Sequence, residues 1–435
     1  MRAEPSDDGG APQPLRSAGA AEEPASPYVR GVEGFGASSG KLEHLQGARC
    51  VATIFVLYHH DWYFSGGARS FWGRNGLAAV DFFVVLSGFA THWSNRRKRL
   101  ELSPPERWLG WCLRRARKAV AAVWCTMALD AAVFLRYENW AGSGWLWFGG
   151  GGLVRAARCV ALVNWWVEPH TLCPNNSSWT VGALVPCWCL VYPAARRLAD
   201  ALAATRRPAR ATAAAAVAVA LAPVVLCLPA ELARQGWADR APSAGEDALQ
   251  YALWCGLSGI PPDAAPRDRA CFPLSVPLNF VVGVLAAALA ASLDGRDARR
   301  GLVADAAAAA VLLAVVLMPS DVSKRRVGTH ALVPLHLAFI VASTAGGGVA
   351  GRVARCLARR PVAALGSYAS VVYLLEFPLA RLWKNAFDPD PGASLFTFER
   401  FPPKTAAFLA ALVACSAAYV DGVQPRLFGH KRKAL

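Results

Sequence analysis

Charge is what this sequence has least of. Only 17% of its 435 residues are charged and 54% are hydrophobic, against roughly 25% and 45–50% in average globular proteins. The apolar runs that begin near residue 46 recur to the end of the chain without the polar linkers of a multidomain soluble protein. No Cys-x-x-Cys pair and no His-Glu-x-x-His element occurs, so no structural metal is predicted. Residues 1–40 contain no apolar run; with six acidic residues and three Arg among Gly, Ala, Ser and Pro, they read as a disordered tail. They hold no signal-peptide core, so the first span is expected to double as an insertion signal. What is present is basic: 46 Lys and Arg against 30 Asp and Glu, a formal charge of +16. The basic residues cluster between apolar runs, which argues for cytoplasmic loops of a polytopic membrane protein and against nucleic-acid binding.

Ten segments approach the roughly 20 residues needed to cross a bilayer. They lie near 46–64, 76–93, 117–136, 179–195, 211–230, 273–292, 302–318, 330–348, 362–380 and 404–422. Segment 151–166 is apolar but opens on glycines and carries Arg155 and Arg158, so it is expected to be re-entrant or interfacial. With the N-terminus in the cytoplasm, Arg96, Arg97, Lys98, Arg99, Arg107, Arg114, Arg115 and Arg117 all fall inside. So do Arg196, Arg197, Arg206, Arg207, Arg210, Arg352, Arg355, Arg359, Arg360 and the C-terminal Lys431, Arg432 and Lys433. The loop 231–272 carries six acids against four Arg and faces out. The reading is therefore all-α, with ten transmembrane helices and both termini cytoplasmic. The expected organisation is a tail over 1–40, a membrane domain over 41–425 and a basic tail over 426–435. Sequons at Asn175 and Asn176, and Cys159, Cys173, Cys255 and Cys271, fall on the outer side, where glycosylation and disulfide pairing are open possibilities.

Ionisable groups in hydrocarbon are costly and point to function. Arg49 and His60 are eleven residues apart; at ~100° per residue they share one helix face, ~16 Å apart along the axis, with His59 roughly 80° away. Asp81, early in the inward-running second span, is expected at the depth of His60, where a carboxylate orients an imidazole base. Snorkelling and interfacial capping would explain the same residues without chemistry.

Arg49-x10-His60, followed by Val80-Asp81-Phe82-Phe83-Val84-Val85-Leu86-Ser87-Gly88-Phe89, resembles the opening of the acyltransferase 3 family of integral membrane acyltransferases. The resemblance continues through Arg114-Arg115-Ala116-Arg117, Ser178-Trp179-Thr180-Val181, Pro277 to Gly283, and Leu365-Gly366 to Pro378. It implies transfer of an acyl group, acetyl above all, from acyl-CoA to a hydroxyl of a carbohydrate or lipid. Acyl-CoA is then a co-substrate, with no resident cofactor and no nucleic-acid partner. It further implies His60 as the catalytic base and Arg49, Arg114 and Arg117 as donor-binding residues; Asp81 is read as the second catalytic residue from its depth, and Glu376 and Trp179 are expected to bind substrate. Three positions depart from the family pattern: Leu184 replaces a Glu, Val120 a Pro, and Glu376 a His. A proton-coupled transporter or flippase and a catalytically silent relative are the competing readings, the first disfavoured by the lack of an internal repeat. The final Lys431-Arg432-Lys433-Ala434-Leu435 resembles an endoplasmic-reticulum retrieval signal, so an endomembrane location is expected in a eukaryote.

Overall fold

The computed structural model describes residues 42–64, 76–96, 105–137, 152–167, 173–234, 243, 275–293, 297, 299–318, 330–387 and 402–428. The N-terminal tail, Arg97–Arg99, Cys255, Cys271 and the basic C-terminal residues lie outside the described residues, as does the side chain of Asn176. Among the described residues every regular element is helical. The principal helices are α1 (Glu43–Phe64), α2 (Gly76–Asn95), α3 (Pro105–Tyr137), α4 (Gly152–Val160), α5 (Asn164–Val167) and α6 (Trp179–Pro186). A π turn (Cys187–Val191) leads into α7 (Tyr192–Ala203), followed by α8 (Pro208–Arg234), α9 (Ser275–Ser292) and α10 (Arg299–Leu317). The chain ends in α11 (Val333–Thr344), α12 (Arg352–Leu357), α13 (Arg360–Phe387), α14 (Pro402–Ala417) and α15 (Gln424–Phe428).

Five helical stretches are long and apolar enough to cross a membrane by length and composition: Pro208–Pro229, Ser275–Ser292, Arg299–Leu317, Arg360–Trp383 and Thr405–Phe428. They coincide with five of the ten segments read from the sequence. The other five segments are also helical, over α1, α2, α3, the α6–α7 stretch and α11, the last a short apolar helix. Segment 151–166 breaks at Leu162, whose φ is +59°. Its pieces of nine and four residues are far shorter than a span. A Cys159–Cys173 disulfide ties this hairpin to the chain leading into α6.

The bundle is organised around α9. Its sequence is apolar all round, and such a helix belongs in the centre; Phe280, Val282, Val284, Leu285, Ala286 and Ala287 are fully buried. By contrast α10 leaves Leu302 73% and Leu317 65% exposed, the surface a bilayer would cover. Close helix approach is bought by glycine. A Cβ on Gly88 would lie 2.0 Å from the Phe280 carbonyl oxygen, and one on Gly283 1.9 Å from that of Val85. The two glycines thus let α2 and α9 meet backbone to backbone. A Cβ on Gly366 would lie 1.7 Å from the Gln46 carbonyl oxygen, so α13 approaches α1 in the same way.

Gly88→Val should therefore collapse the yield of monodisperse detergent-solubilised protein, because the clash is with backbone that cannot rotate away. Gly348→Ala, at a position with nothing within 4 Å of the added carbon, should leave the elution profile unchanged. Equal yields for both would show that the α2–α9 contact is looser than described.

A candidate active site between two polar clusters

The first cluster centres on α1. His60 is 9% exposed, while its neighbour His59 is half-buried and packs over Gly76 at the start of α2. His60 Nδ1 lies 2.7 Å from the Glu376 Oε2 of α13, and Glu376 is 1% exposed. Phe377 and Tyr373 flank the imidazole, with ring centroids 4.9 and 5.9 Å away. A carboxylate accepting from Nδ1–H leaves Nε2 with the lone pair, the tautomer a general base requires.

The sequence reading sets Asp81 beside His60. In the structure the carboxylate hydrogen-bonded to His60 is Glu376, and Asp81 is held elsewhere. Asn279 Nδ2 donates to Asp81 Oδ1 (3.1 Å) and to His330 Nε2 (3.2 Å), and His330 Nδ1 lies 3.1 Å from Asp81 Oδ2. An amide nitrogen only donates, so His330 Nε2 accepts and the ring proton sits on Nδ1, toward Asp81. All three residues are buried. The depth argument could not foresee this, because Asp81 reaches His330 across α9, a contact between residues far apart in the chain.

The second cluster lies at the other end of α1. Arg49 is half-buried, and its Nη1 donates to Gln46 Oε1 at 3.0 Å. Of the arginines on α3, Arg114 and Arg117 are exposed, Arg117 lying over the Phe428 ring. Arg115, not singled out from the sequence, turns inward instead. It donates to Thr91 Oγ1 (2.9 Å), stands over the Trp188 ring, and is close enough to Arg49 for their charges to repel. Its buried Nε–H has no hydrogen-bond partner. Two mutually repelling guanidinium groups and an unsatisfied donor form a place for an anion. Helical arithmetic separates the two: Arg115 is 100° from Arg114 on the α3 surface, so only one of them can face α1 and α2. Stacked Trp108, Trp111 and Tyr192 extend the wall of this cluster. Trp179 is buried against Trp165, at 6.5 Å between rings, in the α4–α6 region.

The helices that build these clusters contain prolines, each of which strips a hydrogen bond from the carbonyl four residues earlier. Three of these carbonyls are re-satisfied by side chains from other elements. Pro186 deprives Gly182, whose oxygen accepts from Trp166 Nε1 (3.0 Å). Pro193 deprives Cys189, whose oxygen accepts from Trp108 Nε1 (3.1 Å). Pro378 deprives Leu374, whose oxygen accepts from Asn175 Nδ2 (2.7 Å), two residues from Glu376. Asn175 also donates to Thr126 Oγ1 and accepts from the Ser177 backbone N–H. Fully buried and thus engaged, it is a structural residue, which answers the first of the two sequons: its amide is not offered to a glycan.

The family model for an acyltransferase domain, Acyl_transf_3, matches residues 42–420. The chain belongs to the acyltransferase 3 family. No curated protein and no solved structure matches it significantly. The match begins just before α1 and ends beyond α14, so it takes in Arg49, His60, Asp81, Arg115, His330 and Glu376. Membership and the apolar helices together make this an integral membrane protein of an acyltransferase family.

Asn175→Ala should destabilise the protein by about 1–3 kcal/mol, the cost of leaving a buried carbonyl unpaired. Adding Pro378→Ala restores an N–H at position 378, one turn from Leu374, and should recover part of that loss. Thermal unfolding of the single and double variants checks this; equal melting of both would dissolve the link between Asn175 and Pro378.

Proposed function

We propose that the protein is a membrane O-acyltransferase that moves an acyl group, acetyl above all, from acyl-CoA to a hydroxyl of a carbohydrate or lipid acceptor. The observation that carries the reading is the buried His60–Glu376 pair on the helix whose other end bears Arg49. In this scheme Arg49 and Arg115 bind the phosphates of CoA, with exposed Arg114 and Arg117 drawing the donor in. His60 Nε2 removes the proton of the acceptor hydroxyl as its oxygen attacks the thioester carbonyl. The carbon–sulfur bond breaks, and the imidazolium returns the proton to the departing CoA thiolate. Glu376 stabilises the imidazolium, so the carboxylate that stands where relatives have His supplies the support expected of Asp81. Asp81 instead holds His330 and Asn279, joining α2, α9 and the chain before α11.

Ten spans with both termini in the cytoplasm suit this chemistry, because the arginine cluster then faces the donor. The same topology puts Cys159 and Cys173 on the outer side, where disulfides persist. An endomembrane location such as the endoplasmic reticulum agrees with the disulfide.

Purified protein incubated with labelled acetyl-CoA and a hydroxyl acceptor should release CoA. His60→Ala should lower kcat by ~10²–10⁴, as general-base loss does, with His59→Ala much milder. Arg115→Ala should raise the donor KM more than Arg114→Ala, since CoA phosphates keep their charge throughout the reaction. Equal losses at His59 and His60 would overturn the assignment of the base.

A further inference from the structure

A third polar region lies where α10 begins and the chain passes from α11 into α12. A basin of about 620 Å³ is lined by Asp297, Arg300, Asp305, Gly351, Arg352 and Arg355 among others. It adjoins a groove of about 320 Å³ formed by α8, α9, α10 and α11, with Asp297 and Arg300 lining both. The groove wall is otherwise mostly apolar, including Val217, Leu289, Val303, Leu337 and Val341. Val217 and Val303 are 41% and 47% exposed, so the groove opens on the outside of the bundle, where lipid chains lie.

The carboxylates of the basin are held in place by backbone N–H groups. Asp305 accepts from the backbone N–H groups of Arg352 and Val353, both at 2.8 Å. Gly351, at φ +98°, permits this turn; a Cβ there would lie 2.7 Å from Asp305 Oδ1. Asp297 accepts from the Arg299 backbone N–H at 2.9 Å. Arg300 Nε donates in turn to the Asp297 backbone oxygen at 3.3 Å, and four arginines, Arg299, Arg300, Arg352 and Arg355, against two carboxylates leave the two spaces net cationic. Apolar space for a chain continues directly into cationic space for a headgroup.

We propose that this composite cavity is a binding site for an anionic phospholipid, with an acyl chain in the groove and the headgroup phosphate in the arginine basin. Basic pockets between helices at the membrane surface take such headgroups, and guanidinium groups match phosphate oxygens two at a time. The reaction proposed above places the acyl donor at Arg49 and Arg115, so this proposal uses a different set of arginines.

The test is a lipid titration of the detergent-purified full chain, followed by native mass spectrometry. Phosphatidylinositol should bind at least tenfold more tightly than phosphatidylcholine. Arg352→Gln with Arg355→Gln, two exposed positions, should weaken phosphatidylinositol roughly 25-fold, at about fivefold per arginine, and weaken zwitterionic phosphatidylcholine much less. Val303→Trp, which fills the groove, should weaken both lipids, with unfolding temperature checked for each variant. Equal affinity for the two lipids, or no effect of the arginine pair, would overturn the proposal. So would competition by glycerophosphoinositol, which lacks chains, at the same concentration as the intact lipid, because the groove would then contribute nothing. Displacement by acetyl-CoA at its catalytic KM would assign the cavity to the donor and overturn it equally.

Discussion

An apolar surround gives a polar group nowhere to go but to another protein group, and this constraint organises the molecule. It acts on the backbone first. Prolines open α13 and the α6–α7 stretch near both polar clusters, and the carbonyls they strip are met by Asn175, Trp108 and Trp166. Each of these donors comes from a different element, so each repaired hydrogen bond is also a tertiary tie. The helices that carry Glu376 and the Trp188–Tyr192 wall are held in place by the same bonds that make their prolines tolerable.

The constraint acts on side chains in the same way. His60, Glu376, Asp81, His330 and Asn279 are all buried, and each is held by another member of that set. Asp130, also fully buried, is met by Arg381 Nη1 at 2.7 Å from both its oxygens, which ties α3 to α13. A buried charge left alone would cost several kcal/mol, so these pairs specify which helices meet. Satisfaction is incomplete at several buried atoms, Asn279 Oδ1 and Trp165 Nε1 among them, and at Arg115 the unsatisfied group is a buried Nε–H beside a like-charged Arg49. That departure from polar satisfaction is where a ligand anion contributes most.

Much of this was legible in the sequence. Apolar runs gave helices, and the eleven-residue spacing separated His60 from His59. Broken pieces at 152–167 agree with an interfacial reading, since Arg155, Arg158 and the glycines resist a continuous span. What stayed hidden depends on contacts between distant residues. Nothing local tells Asp81 that His330 lies across α9, or tells Asn175 that Pro378 has freed Leu374. Arg115 was hidden for a different reason: in a run of four basic residues, only the azimuth of α3 against its neighbours decides which one turns inward.

The proposed acyl transfer depends on one line along α1, from a phosphate site at Arg49 and Arg115 to a base at His60. A cryo-EM structure of the full chain with a non-hydrolysable acyl-CoA thioether tests it most directly. The account predicts CoA phosphate oxygens within hydrogen-bond distance of Arg49 and Arg115, the pantetheine arm running along α1, and the acyl carbonyl beside His60 Nε2. A nucleotide bound elsewhere, or an acyl carbonyl beside Asp81 and His330 and away from His60, would contradict it.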